Sequence, residues 1–422
     1  MGHLGGGTKG QSDVSVFCGI DWAEGHHDIA LVDQDGQLVA KRRISETIEG
    51  FAELVEMLAA AGDTAEAPIP VAIETPRGLL VATLRATGRR VYSINPMAVA
   101  RYRERYSVAR KKSDHIDAMV LANILRTDAH AHRALPEDSE LVRAIAVLAR
   151  AHQDATWRRT RISNELRSLL REYYPTFLEI VRGQSSGLTS REARAVLKIA
   201  PTPTLAAALP RAQIATALRQ SGRRRRVEDL ADEIHHALHQ PQLRQPHLVE
   251  QAMGEQALAL LAVLDAECTN VERLGETVTQ AFHQHPDHAV ILSFPGLGDM
   301  LGARLLAEIG DDRDRFADAR AIKAYAGSAP ITRASGKSIL ITHRKVKNNR
   351  LAATGFSWAF MALTNHPPAR GHYQQRRGTG DGHPAALRHL FNRMLGQLYH
   401  CLQTSQKYDP GKAFPTLFSS AA

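Results

Sequence analysis

VFCGID, residues 16–21, is a short apolar run that ends in a carboxylate, and IPVAIE, residues 69–74, is built the same way. Runs of this length bounded by turn residues read as buried strands. Between them, HDIALVD (27–33) and LVAKRRI (38–44) flank the turn Gln34-Asp35-Gly36-Gln37. Three consecutive short strands with tight turns predict an antiparallel meander. A helix follows over about Ile48 to Ala61, with Phe51, Leu54, Val55 and Leu58 on one face. After the 69–74 strand, Leu79 to Ala86 reads as helix, RVYSI (90–94) as strand, and Pro96 opens another helix. Ser113 is placed to cap a last helix that runs to about Arg126.

That order is three strands, helix, strand, helix, strand, helix. It matches the ribonuclease H architecture, a mixed α/β sheet flanked by helices, in which the first and fourth strands are parallel neighbours. Their C-terminal ends, where open sheets collect ligands, then carry Asp21 and Glu74 side by side. Asp114 and Asp117 are three apart at a helix start and share a face. Four converging carboxylates are hard oxygen donors suited to Mg²⁺ or Mn²⁺, and paired ions of that kind assist phosphoryl transfer. Each acid also has an ordinary role available. Asp114 suits the first turn of any helix, and Glu24, Asp28 and Asp33 compete with Asp21. Arg110, Lys111 and Lys112, just before the Asp pair, are placed to hold a phosphate or to offset repulsion among the acids; an ordinary basic loop is the alternative.

The chain has 422 residues, enough for one large core or two to three modest domains. It has no apolar run long enough to span a bilayer and no signal segment at its start, so a soluble, cytoplasmic protein without a membrane partner is expected. The Gly-rich residues 1–13 read as a disordered tail. Cys18, Cys268 and Cys401 are far apart in sequence and suggest neither disulfide nor zinc. Net charge is +9, and the cations are grouped: Arg101, Arg103 and Arg105; Arg110 to Lys112; Arg223 to Arg226; Arg344, Lys345, Lys347 and Arg350. Clustered positive charge favours a polyanionic partner such as a nucleic-acid backbone.

From about Glu140 to Tyr173 one long helix is expected, with Leu141, Ile145, Leu148, Ala155, Ile162, Leu166 and Leu169 on a heptad-like seam that also carries His152 and Arg159. A partly polar seam suggests a coiled-coil arm that chooses a partner or touches nucleic acid; a helix hairpin within the chain is an equal alternative, with a second helix over about 248–283. Residues 183–250 form a basic insertion of short helical pieces, in which Arg223–Arg226 is either a solvated loop or a phosphate contact. In the mainly helical last section, Pro295-Gly296-Leu297-Gly298 resembles a helix-hairpin-helix turn, whose glycines let the backbone approach a phosphate. Ser335, in Arg333-Ala334-Ser335-Gly336-Lys337-Ser338, reads from spacing alone as a solvated loop serine, with Ser338 nearly as good a nucleophile candidate.

GIDWAEGHHDIALVD, VAIETP and KKSDHIDAMVLA, in that order, resemble the DEDD domain of one insertion-sequence transposase family. FPGLG, RFADARAIKAYAGSAP and RASGKS are similar to that family's C-terminal transposase domain, the pair now described as bridge-RNA-guided recombinases. The resemblance implies a RuvC-like domain with Asp21, Glu74, Asp114 and Asp117 as metal ligands, and Ser335 as the nucleophile that joins DNA. It implies a tetramer, a dimer of dimers, in which one protomer's carboxylates work beside another's serine. It also implies a structured non-coding guide RNA that pairs with donor and target DNA. Under it, Arg110, Lys111, Lys112, Gly296, Gly298, Arg333, Lys337, Arg344, Lys345 and Lys347 are the expected nucleic-acid contacts. Expected boundaries are 14–130 for the RuvC-like domain, 131–287 for the helical region including 183–250, 288–403 for the transposase domain, and 404–422 for a loose tail. Two other readings compete: a junction-resolving nuclease that uses the acids and water, and a non-catalytic binding protein with a relic site.

Overall fold

The structure, a computed structural model, describes residues 16–106, 114–182, 186–336 and 338–414. The chain divides into two compact units at Pro136–Glu137.

The first unit is a mixed α/β sheet with helices. Strands β1 (Val16–Trp22), β2 (His26–Asp33) and β3 (Leu38–Ser45) are followed by helix α1 (Ile48–Ala60), β4 (Val71–Ile73), α2 (Leu79–Ala86), β5 (Val91–Ser93), α3 (Pro96–Tyr106) and α4 (Asp114–Asp128). The sheet order is β3-β2-β1-β4-β5. β1, β2 and β3 pair antiparallel, whereas β4 runs parallel to both β1 and β5. The expected meander and the parallel first and fourth strands are both present. Alternation explains the layering: Ile20, Ile29, Leu54, Leu58 and Leu84 fill one face with α1 and α2. On the other face α4 lies directly on β1, because Gly19 offers no side chain there. A Cβ at Gly19 would fall 2.0 Å from the Ala118 carbonyl oxygen and 2.5 Å from the Ala122 nitrogen. The Thr47 hydroxyl starts α1 by accepting from the Gly50 N–H at 3.1 Å.

The second unit is mostly helical. Its first half comprises α5 (Glu140–Tyr173), α6 (Pro175–Arg182), α7 (Arg191–Ile199), α8 (Pro203–Ala207), α9 (Arg211–Gln220), α10 (Val227–Leu238) and α11 (His247–His283). α5 and α11 pack along one another within the chain, which is the hairpin alternative. Of the expected basic insertion, residues 186–250 form a cluster of short helices. Its short helices bury Val196, Leu197, Ile214, Leu218, Ile234 and Leu238 against Leu166 and Leu170 of α5 and Leu261 and Leu264 of α11. Ser190 and Thr202 cap two of those helices, each accepting a backbone N–H at 3.2 Å.

The second half comprises α12 (His288–Leu292), α13 (Asp299–Ile309), α14 (Ala319–Tyr325), the hairpin β6 (Ile331–Ser335) and β7 (Ser338–Thr342), α15 (Asn349–Asn365), α16 (Pro367–Gly378), α17 (His383–Thr404) and α18 (Pro410–Ala413). These helices close on Trp358, Phe294, Leu306, Leu390 and Phe391, all buried. On the α5 seam His152 is buried, and its Nδ1 accepts from Arg304 at 2.9 Å. Burial, with the charges of Arg304 and Arg159, pushes that imidazole down to about 4, so it sits neutral as an acceptor. Of the 404–422 segment, residues 405–414 pack back, with Phe414 buried and Asp409 capping α18; residues 415–422 lie outside the described residues. The 1–13 tail lies outside the described residues. All three cysteines are free and buried, as expected of small hydrophobes.

Candidate active site

Two of the four acids meet through strand register. Ile20 of β1 pairs with Ile73 of β4. Asp21 and Glu74 are the next residues on each strand, so both stand at the same level at the C-terminal ends of parallel neighbours. Both are half-buried. Asp117 comes from α4, directly before Ala118, whose carbonyl meets Gly19 two residues short of Asp21. The glycine contact thus brings the helical acid to the strand that carries Asp21. Asp114 opens the same helix.

The competing acids have other occupations. Asp28, register partner of Asp21, is buried and takes both arms of Arg43, at 3.1 Å from Nε and 2.7 Å from Nη2. That pairing neutralises what would otherwise be two like charges directly opposite across the strands. Asp33 closes the β2–β3 turn by accepting from the Asp35 and Gln37 N–H groups at 3.0 and 2.8 Å. Glu24 is exposed.

Asp117 is buried with one oxygen 2.5 Å from Nη2 of Arg103 on α3. Arg103 belongs to a cluster expected to meet nucleic acid; one member at least is turned inward onto a candidate ligand. Among the described residues, no three His, Cys, Asp or Glu side chains stand close enough to hold a metal ion. The donor chemistry nonetheless fits a hard divalent cation: oxygen donors only, with the buried Asp117 carboxylate already matched to a positive charge. Arg110, Lys111 and Lys112 lie outside the described residues.

In the second unit Ser335 is the last residue of β6, exposed, with Ser338 as its register partner. It sits beside the turn of a two-stranded hairpin rather than in an irregular loop. Gly336 opens that turn at φ +56°, a backbone region that favours glycine. Where the hairpin returns to α15 it is anchored. The Asn348 N–H donates to the Tyr325 carbonyl at 2.8 Å, and its Nδ2 donates to Glu308 at 2.6 Å and to the Tyr325 hydroxyl at 2.7 Å. The base of the hairpin is thus fixed, and the end that carries Ser335 is exposed. Arg333 is on β6; Lys337 lies outside the described residues.

The remaining expected contacts divide between surface and packing. Gly296, at φ +80°, approaches backbone rather than open space: a Cβ there would lie 2.6 Å from the Ala362 nitrogen of α15. The Trp358 indole N–H donates to the Pro295 carbonyl at 2.9 Å. This turn is therefore welded to α15, and its first helix, α12, is only five residues long. Gly298 is exposed and stands at the N-terminus of α13 without a side-chain cap. Lys345 is exposed, Arg344 half-buried, and the Lys347 stem lies against Gly327. Arg350 is paired with Asp154 at 2.8 Å. In the 223–226 run, Arg223 reaches Glu192 at 3.2 Å and Arg226 reaches Asp229 at 3.1 Å, while Arg224 and Arg225 are exposed. Sequence reasoning missed the Arg103–Asp117 pair and the hairpin around Ser335.

Known proteins match both units. Residues 18–175 match the DEDD-type IS110 family described as transposase, and residues 288–374 match the transposase IS116/IS110/IS902 family. A mini-circle putative transposase for IS117 from Streptomyces coelicolor is 55% identical over 98% of this chain and 100% of its own length. An uncharacterized insertion element IS110 protein from the same species is 29% identical over 94% of this chain and 96% of its own. An uncharacterized IS900 protein from Mycobacterium paratuberculosis is 26% identical over 94% and 97%. No described helix is long and apolar enough to cross a membrane. With acids at adjacent strand ends and matches at both ends of the chain, the protein belongs to the IS110/IS116 family of insertion-sequence transposases, enzymes that act on DNA.

Proposed function

We propose that this transposase cuts and rejoins DNA with two components, a carboxylate site at Asp21, Glu74, Asp114 and Asp117 and a serine nucleophile at Ser335. The observation that carries the reading is the register of Asp21 and Glu74 on parallel β1 and β4, with α4 seated on Gly19 to deliver the Asp pair. The sheet order, with an antiparallel meander followed by two parallel strands, supports a RuvC-like, ribonuclease H-type domain. Transposases of the DEDD type generally use a divalent metal, and Mg²⁺, or Mn²⁺ in its place, suits these donors. The four acids would hold it, and when bound it would polarise the scissile phosphate and steady the leaving oxygen.

The chain's own groups do the rest. The Ser335 hydroxyl oxygen attacks phosphorus, the bond from phosphorus to a bridging oxygen breaks, the serine proton ends on that oxygen as the free hydroxyl of the cut strand, and the enzyme carries a phosphoserine linkage. Attack on that linkage by the hydroxyl of another strand releases the serine and rejoins DNA. Isolated two-stranded hairpins are marginal in water, and this one ends in an exposed serine, so it suits docking onto DNA or another protomer's carboxylates. The assembly in this reading is a tetramer, a dimer of dimers, in which one protomer's serine works beside another's carboxylates. A structured guide RNA would supply sequence choice, leaving the protein to grip backbone. Within the second unit, 288–403 is read as the transposase domain and the preceding helices as its arm.

The test is trapping with cut DNA. Wild type should yield a covalent protein–DNA adduct and Ser335→Ala none. An adduct that persists in Ser335→Ala removes the serine from the mechanism, and cutting without any adduct favours a water-using nuclease.

A further inference from the structure

The second unit carries a cationic cavity that the reaction above does not use. It measures about 570 Å³ and is walled by α14, α17 and the 406–413 segment. Lys323, Arg393, His400, Lys407 and Lys412 line it, and Asp409 is the one carboxylate among its lining residues. That carboxylate is committed elsewhere: it accepts from the Gly411 and Lys412 N–H groups at 2.8 and 3.3 Å, capping α18. Among the described residues no ion pair reaches any of the four Lys and Arg side chains.

Two of those cations are held in place. Arg393 donates from Nε and Nη2 to the Ala413 carbonyl at 3.0 and 2.9 Å, and its guanidinium lies 4.8 Å from the centre of the Phe414 ring. A carbonyl orients the group without cancelling its charge. Lys323 reaches across from α14 into a notch on α17. A Cβ at Gly396 would fall 2.6 Å from both its Cε and its Nζ. Gly396 lies inside a helix, where glycine is less favourable than alanine; its gain is room for the ammonium. Burial and the neighbouring Arg393 charge both press Lys323 below the usual lysine range. Half-buried like charges side by side, with no acid between them, are unfavourable until an anion joins them.

We propose that this cavity binds a phosphate group of a nucleic-acid strand, held between Lys323 and Arg393. Arg393 keeps its Nη1 side for the ligand. Lys407, Lys412 and His400 are exposed and can follow the neighbouring phosphates. The cavity is larger than one phosphate, and Cys401, Tyr408 and Ala413 on its wall suit the attached sugar. Phosphate contacts of this kind fix position and carry no sequence information.

The experiment uses the full chain, fluorescein-labelled single-stranded DNA and RNA read by anisotropy over a salt series, and AMP as the free-nucleotide probe. Lys323→Gln removes the charge. Gly396→Ala keeps the charge, favours the helix, and pushes the ammonium out of its notch. Cooperative unfolding curves show that both variants fold. One lost phosphate contact lowers the slope of log affinity against log salt by about 0.7 for a single strand, so Lys323→Gln should weaken strand binding several-fold with that smaller slope. Gly396→Ala should weaken it too. If both variants bind strands with the wild-type affinity and slope, the proposal falls. It falls equally if Lys323→Gln abolishes AMP binding and leaves strand binding intact, because the cavity then takes a free nucleotide. None of these readings depends on Ser335 or on the carboxylates.

Discussion

Gly19→Ala is the sharpest perturbation of the carboxylate site that leaves every acid in place. The added Cβ would sit 2.0 Å from the Ala118 carbonyl oxygen, and ordinary contact begins near 3.4 Å, so α4 must retreat by about 1.4 Å. The colliding atoms are backbone on both sides, so no rotamer change relieves the clash. Overpacking of this kind costs about 1–3 kcal/mol, which for a unit of this size lowers the midpoint of thermal unfolding by about 4–12 °C. Asp114 and Asp117 ride on α4 and move with it, away from Asp21. A displacement of about 1 Å at a reacting centre is worth about a hundredfold in rate. Gly25→Ala is the control, since a Cβ there meets nothing within 4 Å. The assay pairs thermal unfolding with adduct formation on cut DNA. If Gly19→Ala matches Gly25→Ala in both, α4 does not depend on this contact and the site is not built as described.

Arg103→Ala should lower the urea midpoint, because it strands the buried Asp117 carboxylate at a cost of about 3–5 kcal/mol; added Mg²⁺ should recover more stability in the variant than in wild type, and equal recovery would separate Asp117 from the metal. Stability should also fall as pH drops from about 6.5 towards 4. Over that window the unfolded chain protonates His152 while the fold, with its imidazole pushed down to about 4, resists, and His372, also pushed down to about 4, adds to the slope; His152→Gln should make the slope shallower, and an unchanged slope would assign it to other groups. In the arginine run, Arg224→Ala with Arg225→Ala should reduce the salt dependence of nucleic-acid binding, whereas Arg223→Ala and Arg226→Ala should act on stability through Glu192 and Asp229. The reverse pattern would make the run structural throughout.

What could be read in advance follows from where each signal resides. The meander and both strand-end acids were legible because apolar runs, turn residues and terminal carboxylates are local. The Arg103–Asp117 pair was not, since a cation on one helix and an acid on the next carry no joint periodicity. Residues 183–250 resisted because short amphipathic helices broken by prolines show too few turns to establish a period, and their core is completed only by α5 and α11. The Ser335 hairpin was hidden by RASGKS, which has no apolar alternation; its strands are set by the turn at Gly336 and by the anchor at Asn348. The partner of His152 was not legible, because Arg304 lies far along the chain. At Gly296 the need for a glycine was visible, but its cause, the backbone of α15, was not.

The central claim is that the carboxylates serve the serine rather than a separate water-using reaction. The direct measurement is adduct yield with Asp21→Asn at saturating DNA, with DNA binding checked in parallel. The account predicts that Asp21→Asn binds DNA as wild type does and forms no Ser335-linked adduct. An Asp21→Asn protein that forms the adduct at the wild-type rate would contradict it.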